Sequence, residues 1–290
     1  DLVARYSTDL GKTWSGPVVL ADFGSLGASD PALAYHPETR TVICLFASHR
    51  GLFQSTPEDP IRIQLSTSTD SGRSWSESND ITRQIYQPGW FAAWVASGTI
   101  HCAPDGRLFA AIGVRENASN AISNYLIFST DGGRSWQTAP GRACESGDEA
   151  KVVTLRDGRI LMLVRHKGHR LATWTADGGS SWTKPILVSD LIEPAVNGDL
   201  IRYCHPGKEA SQCEGPLVFS VASHPTERKN LTVFISHDEG ATWLSERVIC
   251  HGPAAYSAMT VLHDGTIGIL YEDGQKNQYD LLFARFYIKN

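Results

Sequence analysis

One eight-residue pattern limits what this chain can fold into more than any other feature. Ser7-Thr8-Asp9-Leu10-Gly11-Lys12-Thr13-Trp14 returns as S-T-D-S-G-R-S-W ending at Trp75 and S-T-D-G-G-R-S-W ending at Trp136. It returns again as T-A-D-G-G-S-S-W ending at Trp182 and S-H-D-E-G-A-T-W ending at Trp243. The tryptophans are 61, 61, 46 and 61 residues apart, and five of the chain's eight tryptophans belong to these copies. Chance does not produce that spacing; a period of this size marks a repeat architecture.

Each copy reads as a turn between two strands. β-forming residues precede it, as in Leu126-Ile127-Phe128 and Leu231-Thr232-Val233-Phe234-Ile235. The aspartate can accept hydrogen bonds from the backbone of its own turn, and the glycine supplies the positive φ that a tight reversal needs. The hydroxyl residues add local bonds. The tryptophan offers a large apolar face that pins the hairpin. These turns are diagnostic of fold and carry no chemistry themselves.

A second punctuation lies between them. Pro104-Asp105-Gly106-Arg107, Arg156-Asp157-Gly158-Arg159 and His263-Asp264-Gly265-Thr266 are Asp-Gly turns between apolar strands, and Pro37-Glu38-Thr39-Arg40 fills the same place earlier. One unit is therefore inner strand, Asp-Gly turn, second strand, variable loop, third strand, Asp-Trp turn, fourth strand. Four antiparallel strands per unit, repeated radially, make a β-propeller. No helical periodicity of useful length competes. The expectation is an all-β, six-bladed β-propeller forming a single domain over residues 1–290. Its first unit lacks the two inner strands, and its last, ending in Leu281–Phe286, lacks the outer one. An N-terminal segment of roughly 40–60 residues is expected upstream of Asp1, from the strand lengths of the other units.

Composition excludes several classes. The net charge of −5 leaves no basic footprint for nucleic acid. No unbroken apolar run is long enough for a membrane-spanning helix. No signal peptide is visible. The six cysteines contain no C-x-x-C pair, which argues against a zinc knuckle. Cys204 and Cys213 bracket a polar loop and either form a disulfide or remain buried thiols.

In a propeller the inner strands surround the axis, so residues at their starts converge. Those starts carry Asp30, Ser97-Gly98, Glu149, Glu214-Gly215 and Tyr256. Second strands end near the same axis. Arg165 and Glu272 each lie 8 residues past the aspartate of their Asp-Gly turn, at Asp157 and Asp264, so they are repeat-equivalent. Arg228 opens a third strand. Polar residues at equivalent positions around one axis form a candidate site. The segment Pro88-Gly89-Trp90-Phe91-Ala92-Ala93-Trp94 is either a pocket wall or inter-blade core. The histidines form no Ser-His-Asp or HExxH arrangement, and His251 reads as a loop residue.

With these residues assembled, the chain resembles the sialidase (neuraminidase) superfamily. Its turns look like that superfamily's Asp boxes. The order Asp30, Glu149 in D-E-A-K, Arg165 in L-V-R, Arg228 in R-K-N-L-T, Tyr256 in A-Y-S and Glu272 in L-Y-E resembles the bacterial exo-α-sialidases. The resemblance implies a glycosidase acting on terminal sialic acids of glycoconjugates, with Tyr256 as nucleophile, Glu149 as its base, and retention through a covalent sialyl-tyrosine. It further implies Arg165 and Arg228 as a clamp on the substrate carboxylate, Glu272 as a holder of a further arginine, and Asp30 as a contact to polar groups on the sugar. A secreted or cell-surface monomer with no cofactor or metal is the expectation. Two parts of the superfamily pattern are missing: an Arg-Ile-Pro motif and an acid/base aspartate. Arg62-Ile63-Gln64 does not match the first, and Asp1 stands in the wrong place for the second, so both are expected upstream and this polypeptide alone is expected to be a poor catalyst. A trans-sialidase or intramolecular trans-sialidase would use the same residues. A non-catalytic glycan-binding propeller would have no need of Tyr256 beside Glu149 and two arginines.

Overall fold

The computed structural model describes residues 1–208, 213–275 and 278–288. It is almost wholly β. The chain opens with an antiparallel pair, β1 (Leu2–Ala4) and β2 (Val18–Ala21). The first full sheet comprises β3 (Gly27–His36), β4 (Thr41–His49), β5 (Arg62–Ser68) and β6 (Asn79–Asp80), followed by the single-turn helix α1 (Thr82–Ile85). The next comprises β7 (Ala92–Val95), β9 (His101–Cys102), β10 (Leu108–Arg115), β11 (Ser123–Ser129) and β12 (Gln137–Thr138). Between β7 and β9 in the chain, β8 (Gly98–Thr99) pairs in parallel with β3 of the first sheet and so stitches the two units together. A regular four-stranded sheet follows: β13 (Ala150–Thr154), β14 (Ile160–Val164), β15 (Lys167–Thr175) and β16 (Ile186–Pro194).

The last sheet joins β17 (Asp199–Arg202), β18 (Leu217–Ala222), β19 (Lys229–Ser236), β20 (Leu244–Val261), β21 (Ile267–Gln275) and β22 (Gln278–Phe286). It is two units in one. The first half of β20 is the outer strand against β19, and the second half is the inner strand of β21 and β22. Four consecutive units therefore form a propeller-like array, with a two-stranded piece before them and a three-stranded piece after. At the hub β13 lies against β17, β17 against β20, and β8 against both β17 and β20.

The Asp-Trp turns are built as their sequence demands. In the third copy Ser129 Oγ donates to Asp131 Oδ1 at 2.8 Å and accepts from Gly133 N at 2.9 Å. Asp131 Oδ1 also accepts from Ser135 N at 3.0 Å and Oδ2 from Ser135 Oγ at 2.6 Å. The hydroxyl-to-Oδ2 bond is 2.6 Å in all five copies. Gly133 has φ 88°, and an added Cβ would sit 2.6 Å from Ile43, so the turn can press onto the preceding sheet only as glycine.

Each turn tryptophan packs between its own unit and the one before. Trp136 shares a buried cluster with Ile43, Leu45 and Leu108, Trp182 packs on Leu126 and Met162, and Trp243 lies with Leu161 and Phe219. Trp75 packs with Leu2 and Leu20 of the opening pair. The first turn continues the rule by meeting the end of the chain: Trp14 stacks edge-on against Phe283 of β22 with ring centroids 5.3 Å apart.

Two sequence expectations change here, and one open alternative is decided. Glu214 does not begin an inner strand. β17 is the inner strand of that unit, and Leu217 of β18 pairs back onto Arg202. A long loop closed by the Cys204–Cys213 disulfide, Cα atoms 4.8 Å apart, replaces the Asp-Gly turn that marks the other units; its residues 209–212 lie outside the described residues. Trp90 and Trp94, both 6% exposed, are core rather than pocket wall, because Trp90 stacks on Tyr125 at 4.9 Å and Trp94 packs on Ala47 and Ile61. His251 lies within β20 and not in a loop.

Candidate active site

Tyr256 sits at the turning point of β20, where the strand passes from one unit to the next. Its backbone N–H donates to Glu272 Oε2 at 3.1 Å, so the neighbouring strand β21 holds it directly. Glu149 immediately precedes β13 and is buried, and Arg165 immediately follows β14. The antiparallel pairing of those strands brings the two together: Arg165 N donates to the Glu149 carbonyl at 2.8 Å, and the guanidinium Nη1 ion-pairs with the Glu149 carboxylate. The same Nη1 donates to Tyr256 Oη at 3.2 Å. Arg165 Nε faces Asp148 Oδ2 at 3.4 Å. Arg228, just before β19, lays its guanidinium over the Tyr256 ring, 5.5 Å from the centroid.

The phenol is therefore surrounded by one carboxylate and two guanidinium groups. Burial pushes its pKa up, and the Glu149 charge and hydrogen bond push it further the same way, against the opposing pull of Arg165 and Arg228. It is held neutral, beside a carboxylate that can accept its proton. Asp30 lies across the same cavity. This opening of about 370 Å³ is bordered by Asp30, Ser97, Gly98, Asn197, Tyr256 and Glu272, with Leu33, Leu270 and Leu281 on its apolar side. Asp30 adopts φ 55° at a break in the β3–β4 register and accepts from Ser29 Oγ at 2.8 Å. Burial raises its pKa, with the Glu149 charge acting in the same direction.

Asp30, Tyr256 and Glu272 border this opening, while Glu149, Arg165 and Arg228 gather on the Tyr256 side chain. For Glu272 the observed partner is the Tyr256 backbone; among the described residues it forms no ion pair with an arginine. Sequence reasoning missed the polar framework beneath. Lys151, two residues past Glu149 on β13, donates to the carbonyls of Ala96, at 3.0 Å, and Ser97. Asp199 at the start of β17 lies 4.0 Å from Lys151 Nζ. Its carboxylate accepts from Thr99 Oγ1 at 2.7 Å and from Met259 N at 2.7 Å, three residues past the tyrosine. Both charges are buried, so this pair ties the inner strands that carry Glu149, Ser97 and Tyr256 to one another. The sequence carries a signal for the unit that begins with β17: the turn tryptophan precedes the hub residue by 13 residues at Trp136–Glu149 and Trp243–Tyr256, by 15 at Trp182–Asn197, by 16 at Trp14–Asp30 and by 22 at Trp75–Ser97, but by 32 at Trp182–Glu214.

Comparison with known proteins adds to this geometry. A family model described as a BNR repeat-like domain matches residues 1–269. A sialidase of Micromonospora viridifaciens is 33% identical over 298 residues, which cover 96% of this chain and 46% of that protein. A sialidase of Bacteroides fragilis is 27% identical, over 94% of this chain and 54% of its own length. The chain spans about half the length of these relatives. Among solved structures, a Hadza microbial sialidase superposes with a TM-score of 0.82 at 27% identity, covering 92% of this chain and 56% of that one. The intramolecular trans-sialidase of Ruminococcus gnavus, solved with oseltamivir carboxylate, superposes with a TM-score of 0.80 at 17% identity, over 98% and 87% of the two chains; that likeness is one of fold.

Proposed function

Because the chain belongs to the sialidase superfamily, through a BNR repeat-like domain that fills most of its length, we propose that it is the propeller of an exo-α-sialidase. In this reading it releases terminal sialic acids from glycoconjugates with retention of configuration. The observation that carries the reading is the meeting of Tyr256, Glu149 and Arg165 at one point, with Arg228 over the ring.

The physical logic is electrostatic. The anomeric carbon of a sialoside bears a carboxylate, which repels an anionic nucleophile. A neutral phenol escapes that repulsion until the moment of attack, which is why sialidases depart from the usual pair of catalytic carboxylates. Tyr256 Oη attacks the anomeric carbon while its proton passes to Glu149. The bond to the aglycone breaks, and its electron pair leaves on the aglycone oxygen, which takes a proton from an acid outside this set of residues. Water then attacks the same carbon, giving a proton to the group that protonated the aglycone; the tyrosyl bond breaks, and the phenolate recovers its proton from Glu149. Two inversions give net retention. The planar forks of Arg165 and Arg228 suit the substrate carboxylate and hold the sugar in register for both steps. Asp30 faces polar groups on the ring, and Glu272 fixes the backbone of the nucleophile.

A six-bladed closed ring is part of the proposal. Each turn tryptophan leans on the preceding unit, and the first leans on the last through Trp14 and Phe283, which supports cyclic order. Secretion or surface display and a monomeric state belong to the same reading.

The test is turnover of a fluorogenic sialoside by the full-length protein, with the first-formed product followed by NMR. Release of the α-anomer by the wild type and its loss in Tyr256→Phe are expected. A β-anomer formed first, or undiminished turnover in the variant, refutes the mechanism. A 2,7-anhydro product would replace hydrolysis by intramolecular transfer.

A further inference from the structure

We propose that Asn197 reads the bound sugar, its side-chain carbonyl accepting a hydrogen bond from a hydroxyl or N–H group of the substrate. This rests on the sialidase reading of the site and names a specificity contact within it. Asn197 borders the Tyr256 cavity yet is only 1% exposed. Its Nδ2 donates to the Ser97 carbonyl at 2.8 Å and to Ser97 Oγ at 3.2 Å. A backbone carbonyl can only accept, so the amide NH₂ must face Ser97 and Oδ1 must point the other way. Oδ1 is buried and has no hydrogen-bond partner. A buried acceptor left unpaired is costly and uncommon, and in a residue that borders a cavity it points to a missing donor.

The loop that carries Asn197 cannot swing to satisfy it. Ala195 is held at φ 61°, a conformation unfavourable for a residue with a side chain. A Cβ at Gly198 would lie 2.4 Å from the Ser220 carbonyl. Glu193 accepts from Val196 N at 3.0 Å and from His166 N at 2.9 Å, while Arg170 Nη2 donates to Val196 O at 2.7 Å. Arg170 and Glu193, 3.2 Å apart, are themselves buried. A buried ion pair is thus spent on clamping the backbone on either side of Asn197. The other unpaired amide oxygen, on Asn124, faces Gly147 and borders no part of this cavity, so it carries no such implication.

The ligand group must be a neutral donor. Arg165 and Arg228 already supply donors for the carboxylate, and Asp30 and Glu272 are acceptors placed elsewhere on the rim. The experiment is calorimetric binding of N-acetylneuraminic acid to full-length Tyr256→Phe and Tyr256→Phe/Asn197→Ala. It is repeated with analogues that each lack one donor: single deoxy sugars and the N-methylated amide. Asn197→Ala is expected to weaken binding of the parent sugar about tenfold, the worth of one hydrogen bond. One analogue is expected to bind the Tyr256→Phe protein that much more weakly and to lose nothing further with Asn197→Ala. Should the alanine variant not fold, Asn197→Asp keeps an oxygen at the same place and must retain the penalty against that analogue. Unchanged affinity in Asn197→Ala, or equal losses for every analogue, overturns this inference alone. Failure of the parent sugar to bind the Tyr256→Phe protein overturns both it and the sialidase reading.

Discussion

Replacing Lys151 by methionine should destabilise the fold by about 3–5 kcal/mol, the range for stranding one partner of a buried ion pair. The structure shows why the cost falls there. Lys151 and Asp199 are both almost inaccessible, and the two charges are 4.0 Å apart. At that distance an effective dielectric constant of 20 makes their attraction about 4 kcal/mol. Methionine fills most of the volume but cannot donate to the carbonyls of Ala96 and Ser97, which lose the Nζ bonds. Asp199 keeps its bonds from Thr99 and Met259 and loses its counter-charge. Urea unfolding followed by tryptophan fluorescence reads the effect: with a slope of about 3 kcal/mol per molar, the midpoint should fall by about 1–1.7 M. Lys151→Met/Asp199→Asn removes both charges and should recover part of the loss, a coupling of about 1–3 kcal/mol. A Lys151→Met midpoint within about 0.3 M of wild type, roughly 1 kcal/mol at that slope, or strictly additive losses in the double variant, would refute the view that this pair locks the hub.

Three further outcomes follow from the site and the turns. Glu149→Gln should lower kcat by roughly 10²–10⁴, the usual span for loss of a general base; it should also let the Tyr256 phenol ionise at lower pH, because the Glu149 charge and hydrogen bond hold that pKa up, and ultraviolet titration against Tyr256→Phe would detect it. Arg165→Ala/Arg228→Ala should raise KM for a sialoside by about tenfold or more, each charged hydrogen bond contributing roughly 1.5–3 kcal/mol; unaltered KM would contradict the clamp. Acid should loosen the propeller below the ordinary aspartate range. Asp9 and Asp177 are held down to about 2, chiefly by the hydroxyls of Thr13 and Ser181. A carboxyl whose folded pKa is depressed stabilises the fold above its unfolded value and loses that contribution as pH falls through the folded value. Thermal midpoints should therefore drop between about pH 4 and pH 2, and Asp177→Asn should flatten that drop.

Much of the fold was legible because its punctuation is local. An aspartate, a glycine and a hydroxyl within eight residues close their own hydrogen bonds, so all five Asp-Trp turns could be located before any tertiary contact was known. The six candidate residues are reachable for a related reason: repeat-equivalent positions share an orientation, and Glu149, Arg165 and Tyr256 occupy such positions. The unit that was misaligned is the one without the local cue. With a disulfide loop in place of an Asp-Gly turn, the short strand Asp199–Arg202 carries no local mark, and the pattern points to Glu214 instead. Trp90 and Trp94 were ambiguous because an aromatic residue suits a pocket wall and a core equally well, and only the neighbours distinguish the two.

By itself, then, the sequence determined the repeating unit, the turn chemistry and the identity of the polar residues that face the axis, since each depends on groups a few residues apart. Only the tertiary structure decided how those residues meet. Thr99 and Asp199 bond across 100 residues of chain, and Arg165 and Tyr256 across 91. No local preference encodes such pairings. They exist because neighbouring sheets bury their apolar faces against one another, and that packing sets the angle at which each inner strand delivers its side chain to the hub.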